Sequence, residues 1–179
     1  MITSAVAAAV VAVWTFDGGN EGWSANSHIT NVVVRDGKFQ GRTVDWDPML
    51  VRRGLDLRAT PWQVVVVRMR SSLAGPGQLY WTGETTGKHG GFDPHKATSF
   101  EIPAGGEFRE IVIVPFWQGE RTIRQLRLDL FDGTDFQIDS IRVVEWGGGA
   151  APRSDVFEWT FGDNLAAWRP HPATDVLYA

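Results

Sequence analysis

Hydrophobic and polar residues alternate with a period of two through much of this chain, the spacing of strands that bury one face. The clearest stretch is residues 125–146, QLRLDLFDGTDFQIDSIRVVEW. Leu126, Leu128 and Leu130 alternate with Arg127 and Asp129, and the Asp132-Gly133 turn signal predicts a hairpin with the segment that follows. In that segment Phe136, Ile138, Ser140, Arg142 and Val144 point one way, while Gln137, Asp139, Ile141, Val143 and Glu145 point the other. Neither face is cleanly apolar, which predicts a strand that is central or passes between environments. Asp139 shares a face with Ile141 and Val143 and is expected to point indoors. A carboxylate there is costly unless it is paired, hydrogen-bonded or bound to metal.

The same pattern recurs upstream. Residues 29–34 and 38–40 flank the hairpin signal Asp36-Gly37; 63–70 is β-rich; 78–82 follows an Ala-Gly-Pro-Gly turn; 98–102 and 108–115 flank Pro103-Ala104-Gly105-Gly106; and 122–130 leads into the opening stretch. No segment shows a sustained helical period with caps. Eight or so short strands predict an all-β, two-sheet antiparallel β-sandwich over residues 1–146, with a jelly roll preferred to an immunoglobulin-like topology.

The segment 1–13 is apolar but has no basic leader and runs straight into Trp14-Thr15-Phe16. It reads as an added strand, with a remnant of an export signal as the other reading. It is too short to span a bilayer. Trp159-Thr160-Phe161 and Trp168 repeat Trp14-Thr15-Phe16 and Trp23 at a constant offset of 145 residues. This predicts that residues 155–179 open a second repeat or form a strand-like tail, joined through the Gly/Pro linker 147–154.

Composition removes several alternatives. The 179 residues are 43% apolar, enough for a core that needs no staples, and zero cysteines exclude disulfides. A formal charge of −4 with scattered Lys and Arg gives no electrostatic case for nucleic acid. Nine tryptophans against two tyrosines exceed an ordinary core's share, so some are expected at a contact surface. His28, His89, His95 and His171 are too scattered for zinc.

In order, Trp14-Thr15-Phe16 with Gly22-Trp23, Asp36-Gly37-Lys38, Asp47-Pro48, Val67-Arg68-Met69-Arg70, Gln78-Leu79-Tyr80-Trp81, Leu126-Arg127-Leu128-Asp129 and Ile138-Asp139-Ser140-Ile141-Arg142-Val143 resemble the jelly-roll carbohydrate-binding modules. These belong to the broad galactose-binding-like group that includes the CenC-type modules. The resemblance implies a non-catalytic glycan-binding module, part of a larger extracellular or surface protein. It also implies a structural Ca²⁺ near the start of the first strand and the end of the last. The matching positions are Asp17 and Asp139, with Glu21 or Asn20 as further oxygen ligands. The other reading of Asp139 is a carboxylate capped by backbone N–H groups or paired with an arginine.

The sheet face opposite the core is the candidate sugar platform. Arg68 and Arg70 share a parity on their strand, and Arg127 and Asp129 lie opposite the leucine row, so their charges are expected to converge on one surface. Tyr80, Trp81, Trp117 and Trp46 are the aromatic candidates, since sugars are held by planar polar groups around hydroxyls and by rings under their C–H faces. Against this stand an Arg68–Asp129 cross-strand ion pair and a Trp81 that merely fills the core. The Gly-rich loop 82–96 brings Glu84, His89, Asp93 and His95 together in sequence as an acid/base or metal set, or else forms a mobile rim.

Two functions compete with glycan binding. One is a structural, self-assembling protein, a homo-oligomer joined by strand addition from either terminal segment. The other is a small sandwich lyase or hydrolase, for which no nucleophile context or carboxylate pair is recognisable.

Overall fold

The alternating segments do become strands, and consecutive strands mostly enter different sheets. A computed structural model describes residues 8–146. They run β1 (Ala8–Trp14), β2 (Trp23–Ala25), β3 (Ile29–Arg35), β4 (Lys38–Thr43), β5 (Met49–Arg52), β6 (Leu57–Arg58), β7 (Gln63–Ser71) and β8 (Gly75–Thr82). There follow β9 (Ala97–Ile102), β10 (Gly105–Ile113), β11 (Thr122–Ile123), β12 (Gln125–Asp129) and β13 (Asp135–Trp146). Within these residues the only helical pieces are two 3₁₀ turns, Lys88–Gly91 and Trp117–Gly119. None is long and apolar enough to cross a membrane.

One sheet has the order β10-β7-β13-β4-β3, with β1 also paired to β13; the other has the order β2-β5-β12-β8-β9. All named strand pairs are antiparallel, including the small β11–β6 pair. The chain passes from sheet to sheet as a jelly roll does. Trp23, Phe39, Leu50, Val65, Val67, Leu79, Leu126, Leu128, Ile138 and Ile141 fill the space between the sheets, each nearly inaccessible to solvent.

Local chemistry explains the β3–β4 hairpin. Asp36 and Gly37 both have positive φ, 51° and 66°, the two left-handed positions of a type I′ turn. Asp132-Gly133 is the same dipeptide, but here only Gly133 has a positive φ, 79°. Since β12 and β13 belong to opposite sheets, this turn carries the chain across the sandwich, and the expected hairpin does not form. Thr134 secures the crossing: its N–H donates to Thr43 Oγ1 at 2.9 Å, and its hydroxyl lies 2.8 Å from Ser71 Oγ.

The mixed faces of β13 have a geometric cause. Opposite β7, Ile138 pairs with Met69 and Ser140 with Arg68, so β13 holds one residue more than its partner there. Such a bulge changes the parity of everything beyond it. Phe136 and Ile138 point inward before the bulge, and Ile141 and Val143 after it. The strand is central: β7 lines one side, and β4 then β1 line the other. Asp139 does not share the inward face. Its side chain keeps 33% exposure and accepts from Arg68 Nε at 2.9 Å.

From Ala8 onward the N-terminal segment is an added strand, as its pairing with β13 shows. The linker 147–154 and the repeat 155–179 lie outside the described residues.

Candidate functional site

At the centre of the five-stranded sheet, β12 lies between β5 and β8. Leu126 and Leu128 are fully buried in the core, so the pleat turns Arg127 and Asp129 to the outer face. Arg127 stands opposite Val51 on β5 and Tyr80 on β8, and Asp129 stands opposite Met49 and Gln78. Ser99 of β9 faces Gln78 on the far side of β8. Register alone therefore assembles one polar surface from three adjacent strands, β12, β8 and β9, with Val51 and Met49 of β5 beside it.

Its hydrogen bonds are closely coupled. Arg127 Nε donates to Asp129 Oδ1 and Nη2 to Oδ2, each at 2.6 Å, and Nη2 also donates to Asp47 Oδ1 at 2.7 Å. The guanidinium carbon lies 5.0 Å from the Tyr80 ring centroid. Tyr80 donates its hydroxyl to Gln78 Oε1 at 2.9 Å, and Gln78 Nε2 donates to Ser99 Oγ at 3.2 Å. Trp46, 81% exposed, stands at the rim beside Asp47. With Gln78, Ser99 and Asp129 these two border an open pocket of about 370 Å³.

Partial burial shapes the charges. The side chains of Arg127 and Asp129 are only 16% and 14% exposed. Desolvation pushes the Asp129 carboxyl above its ordinary range; the hydrogen bonds and charge of Arg127 pull it back part-way, and Asp47 adds to the rise. Burial works against the Arg127 charge, but its bonds to Asp129 and the two neighbouring carboxylates outweigh that and raise its pKa. The Tyr80 phenol is raised too, by burial first and then by the Asp129 charge. The result is a fixed array of donors and acceptors with an aromatic ring, a surface suited to hydroxyl-rich ligands.

Of the residues singled out from sequence, Tyr80, Arg127 and Asp129 come together here. Arg68 does not, because β7 belongs to the other sheet and Arg68 and Arg70 lie on the opposite outer face. The expected convergence of the four charges is thereby corrected. Trp81 and Trp117 are corrected as well, being 5% and 1% exposed. Trp81 has the parity of Leu79 and so points inward, where it meets Trp117 edge to face with centroids 6.3 Å apart. Trp117 reaches the core because Phe116 takes a left-handed φ of 49° and turns the loop, leaving Phe116 outside. The buried indole N–H of Trp117 then donates to Gln63 Oε1 at 2.9 Å.

Asp47 stands out in the sequence only within a motif, and nothing there assigns a role to Gln78 or Ser99. Gln78 was within reach, since it shares the parity of Tyr80. Asp47 was not, since its partner Arg127 lies 80 residues away.

The calcium expectation meets a different local chemistry. Asp17 and Asp139 line one open pocket with Asp36 and Glu110, and Arg68 and Arg142 line it too. Arg68 holds Asp139, while Glu21 accepts from the Thr15 N–H at 2.9 Å. Among the described residues no three His, Asp or Glu side chains gather as a metal set. Calcium takes six to eight oxygens, and Asp139, one of the two expected carboxylate ligands, is already paired with Arg68. The loop 82–96 likewise does not bring Glu84, His89, Asp93 and His95 into such a set. It is pinned from beneath: buried Gln125 donates Nε2 to the carbonyls of Glu84 and Gly90 at 2.6 and 2.8 Å.

The sequence matches no protein-family model and no curated protein. Similar solved structures do exist. The apo CBM1 of BiXyn10A superposes with a TM-score of 0.50 at 12% identity, over 76% of this chain and 98% of that one. The second N-terminal cellulose-binding domain of Cellulomonas fimi β-1,4-glucanase C gives 0.50 at 16% identity, over 74% and 91%. The fold is that of carbohydrate-binding modules. It is also found within a longer chain, PfGH50B, at a TM-score of 0.50 and 9% identity, over 69% of this chain and 22% of that one.

Proposed function

We propose that this β-sandwich is a non-catalytic module that binds a glycan along the outer face of its five-stranded sheet. The observation that carries the reading is the Tyr80–Arg127–Asp129–Asp47 array. It sets a ring and an immobilised guanidinium with two carboxylates on an open sheet face. Tyr80 offers its ring to the C–H face of a sugar, and the polar groups around it offer donors and acceptors to the hydroxyls. The likeness in fold to a cellulose-binding domain supports the same class of ligand. With two carboxylates on one arginine, the cleft favours neutral glycans over acidic ones.

Hydrolysis is disfavoured by the same geometry. A glycosidase needs one carboxyl free to give a proton and a second free to attack or to activate water. Here both Asp129 oxygens and one Asp47 oxygen are occupied by Arg127. An extracellular or cell-surface setting belongs to the proposal, because polymeric glycans are met there.

Calorimetric titration with cellohexaose and other neutral oligosaccharides tests the reading. Binding by the natural protein that is lost in Asp129→Ala, with the melting curve still cooperative, is the expected result. No heat with any neutral oligosaccharide would reject it.

A further inference from the structure

On the opposite side of the sandwich, the outer face of the six-stranded sheet gathers a second constellation. Phe108 of β10 points outward with a half-buried ring. Its centroid lies 4.9 Å from the Arg70 guanidinium and 5.5 Å from that of Arg68, both on β7. Lys38 Nζ, from β4, lies 5.9 Å from the same centroid. Since β13 separates β4 from β7, these groups meet across four neighbouring strands.

Their charge is poorly balanced. Arg68 has Asp139 as its partner at 2.9 Å. Arg70 donates only to neutral acceptors, Gln137 Oε1 at 3.1 Å and the Gly106 carbonyl at 2.8 Å. Lys38 donates to the Asp36 carbonyl at 2.7 Å. The nearby carboxylate of Glu110 is taken by Arg142 at 2.6 Å. Among the described residues, then, only one of the three cations around the ring, Arg68, has a carboxylate partner, and the excess of positive charge lies on the Arg70 side, since Asp17, Asp36 and Glu110 line the pocket beside Arg68. An exposed cation–π contact is worth roughly 0.5–1 kcal/mol and leaves the positive potential in place. Gln137 and Gln40, joined at 3.0 Å, add planar amides on the same face. Beside them, Arg70 and Gly106 border an open pocket of about 480 Å³.

We propose that this face is a second glycan site, which takes a sugar bearing an anionic group, either a uronate carboxylate or a sulfate ester. A ring for the C–H face, amides for hydroxyls and a guanidinium fork for a planar anion are the groups such a residue needs. It stands on its own observations and does not depend on the cleft across the sandwich, whose charge has the opposite sign.

The test is a calorimetric titration in about 0.15 M salt, where loose surface attraction is screened. The ligands are oligogalacturonate, a sulfated disaccharide, inorganic sulfate, a single-stranded oligonucleotide and cellohexaose. The proteins are the natural chain, Phe108→Ala, Arg70→Gln and Tyr80→Ala, each checked for an unchanged melting curve. At least one acidic sugar should bind the natural chain, tenfold or more weaker in Phe108→Ala and Arg70→Gln, and equally well in Tyr80→Ala. Which acidic sugar binds identifies the anionic group. Failure of both acidic sugars, or equal binding of inorganic sulfate or the oligonucleotide with no loss in Phe108→Ala, would overturn the proposal. Failure of cellohexaose alone would count only against the cleft.

Discussion

The Arg127 guanidinium lies 5.0 Å from the centre of the Tyr80 ring and is held on its other sides by Asp129 and Asp47. Three partners fix the arginine before any ligand arrives, so little side-chain entropy remains to be lost on binding. Tyr80 supplies the ring, and only part of it is buried. Tyr80→Ala is expected to weaken binding of a neutral oligosaccharide about tenfold, ~1.4 kcal/mol, while thermal unfolding stays cooperative. Calorimetry reads this directly, and unchanged affinity in a folded variant would remove Tyr80 from the site.

Asp129 gives a pH signature of unusual sign. Burial raises its pKa in the folded protein, so the folded state binds the proton more tightly than the unfolded chain does. On this group alone, stability is fully present below the ordinary carboxyl pKa and falls as pH rises through the raised folded value. Asp129→Asn lacks that loss. Denaturant melts at acidic and neutral pH should show the variant gaining on the natural protein as pH rises. A gap that widens in favour of the natural protein would mean that Arg127 outweighs burial.

Trp117 is expected to matter for stability and not for binding. Its indole is 1% exposed, packed against Trp81 and hydrogen-bonded to Gln63. Trp117→Ala should lower stability by about 3–5 kcal/mol, the range for truncating a large buried aromatic. Glycan affinity, measured where the variant is still folded, should stay within about twofold, since every proposed ligand contact is on the other face of the sheet.

Arg68 is paired with Asp139, one of the two carboxylates expected to hold calcium. Excess chelator should therefore leave the melting temperature of the purified protein unchanged. A fall that Asp139→Ala abolishes would show a bound cation, because a ligand held only by the folded state stabilises it by mass action.

The strands of the sandwich were legible where alternation ran for five residues, as in β12, or where β-branched residues ran together, as in β7. The four-residue β5 and two-residue β6 are too short to show a period. Turn chemistry was legible at Asp36-Gly37 but ambiguous at Asp132-Gly133, because a Gly turn reverses the chain without saying which sheet the next strand joins. The bulge at Asp139 left only mixed parity behind, and the inward reading of that carboxylate followed from assuming a regular strand. In the cleft, Tyr80, Arg127 and Asp129 could be named from parity within single strands. That Arg68 stays apart from them was hidden, since parity fixes the face of a strand but not the sheet to which it belongs. Trp117 was misread because a single left-handed residue decides which of two adjacent aromatics the loop buries.

Binding is proposed on the outer face of the five-stranded sheet, and amide chemical-shift mapping during titration with a neutral oligosaccharide locates it residue by residue. Saturating shifts are expected at Trp46 and Asp47, at Gln78 and Tyr80, at Ser99, and at Arg127 and Asp129, with residues 64–68 of β7 unmoved. Shifts confined to the six-stranded sheet, or none at all with binding established by calorimetry, would contradict it.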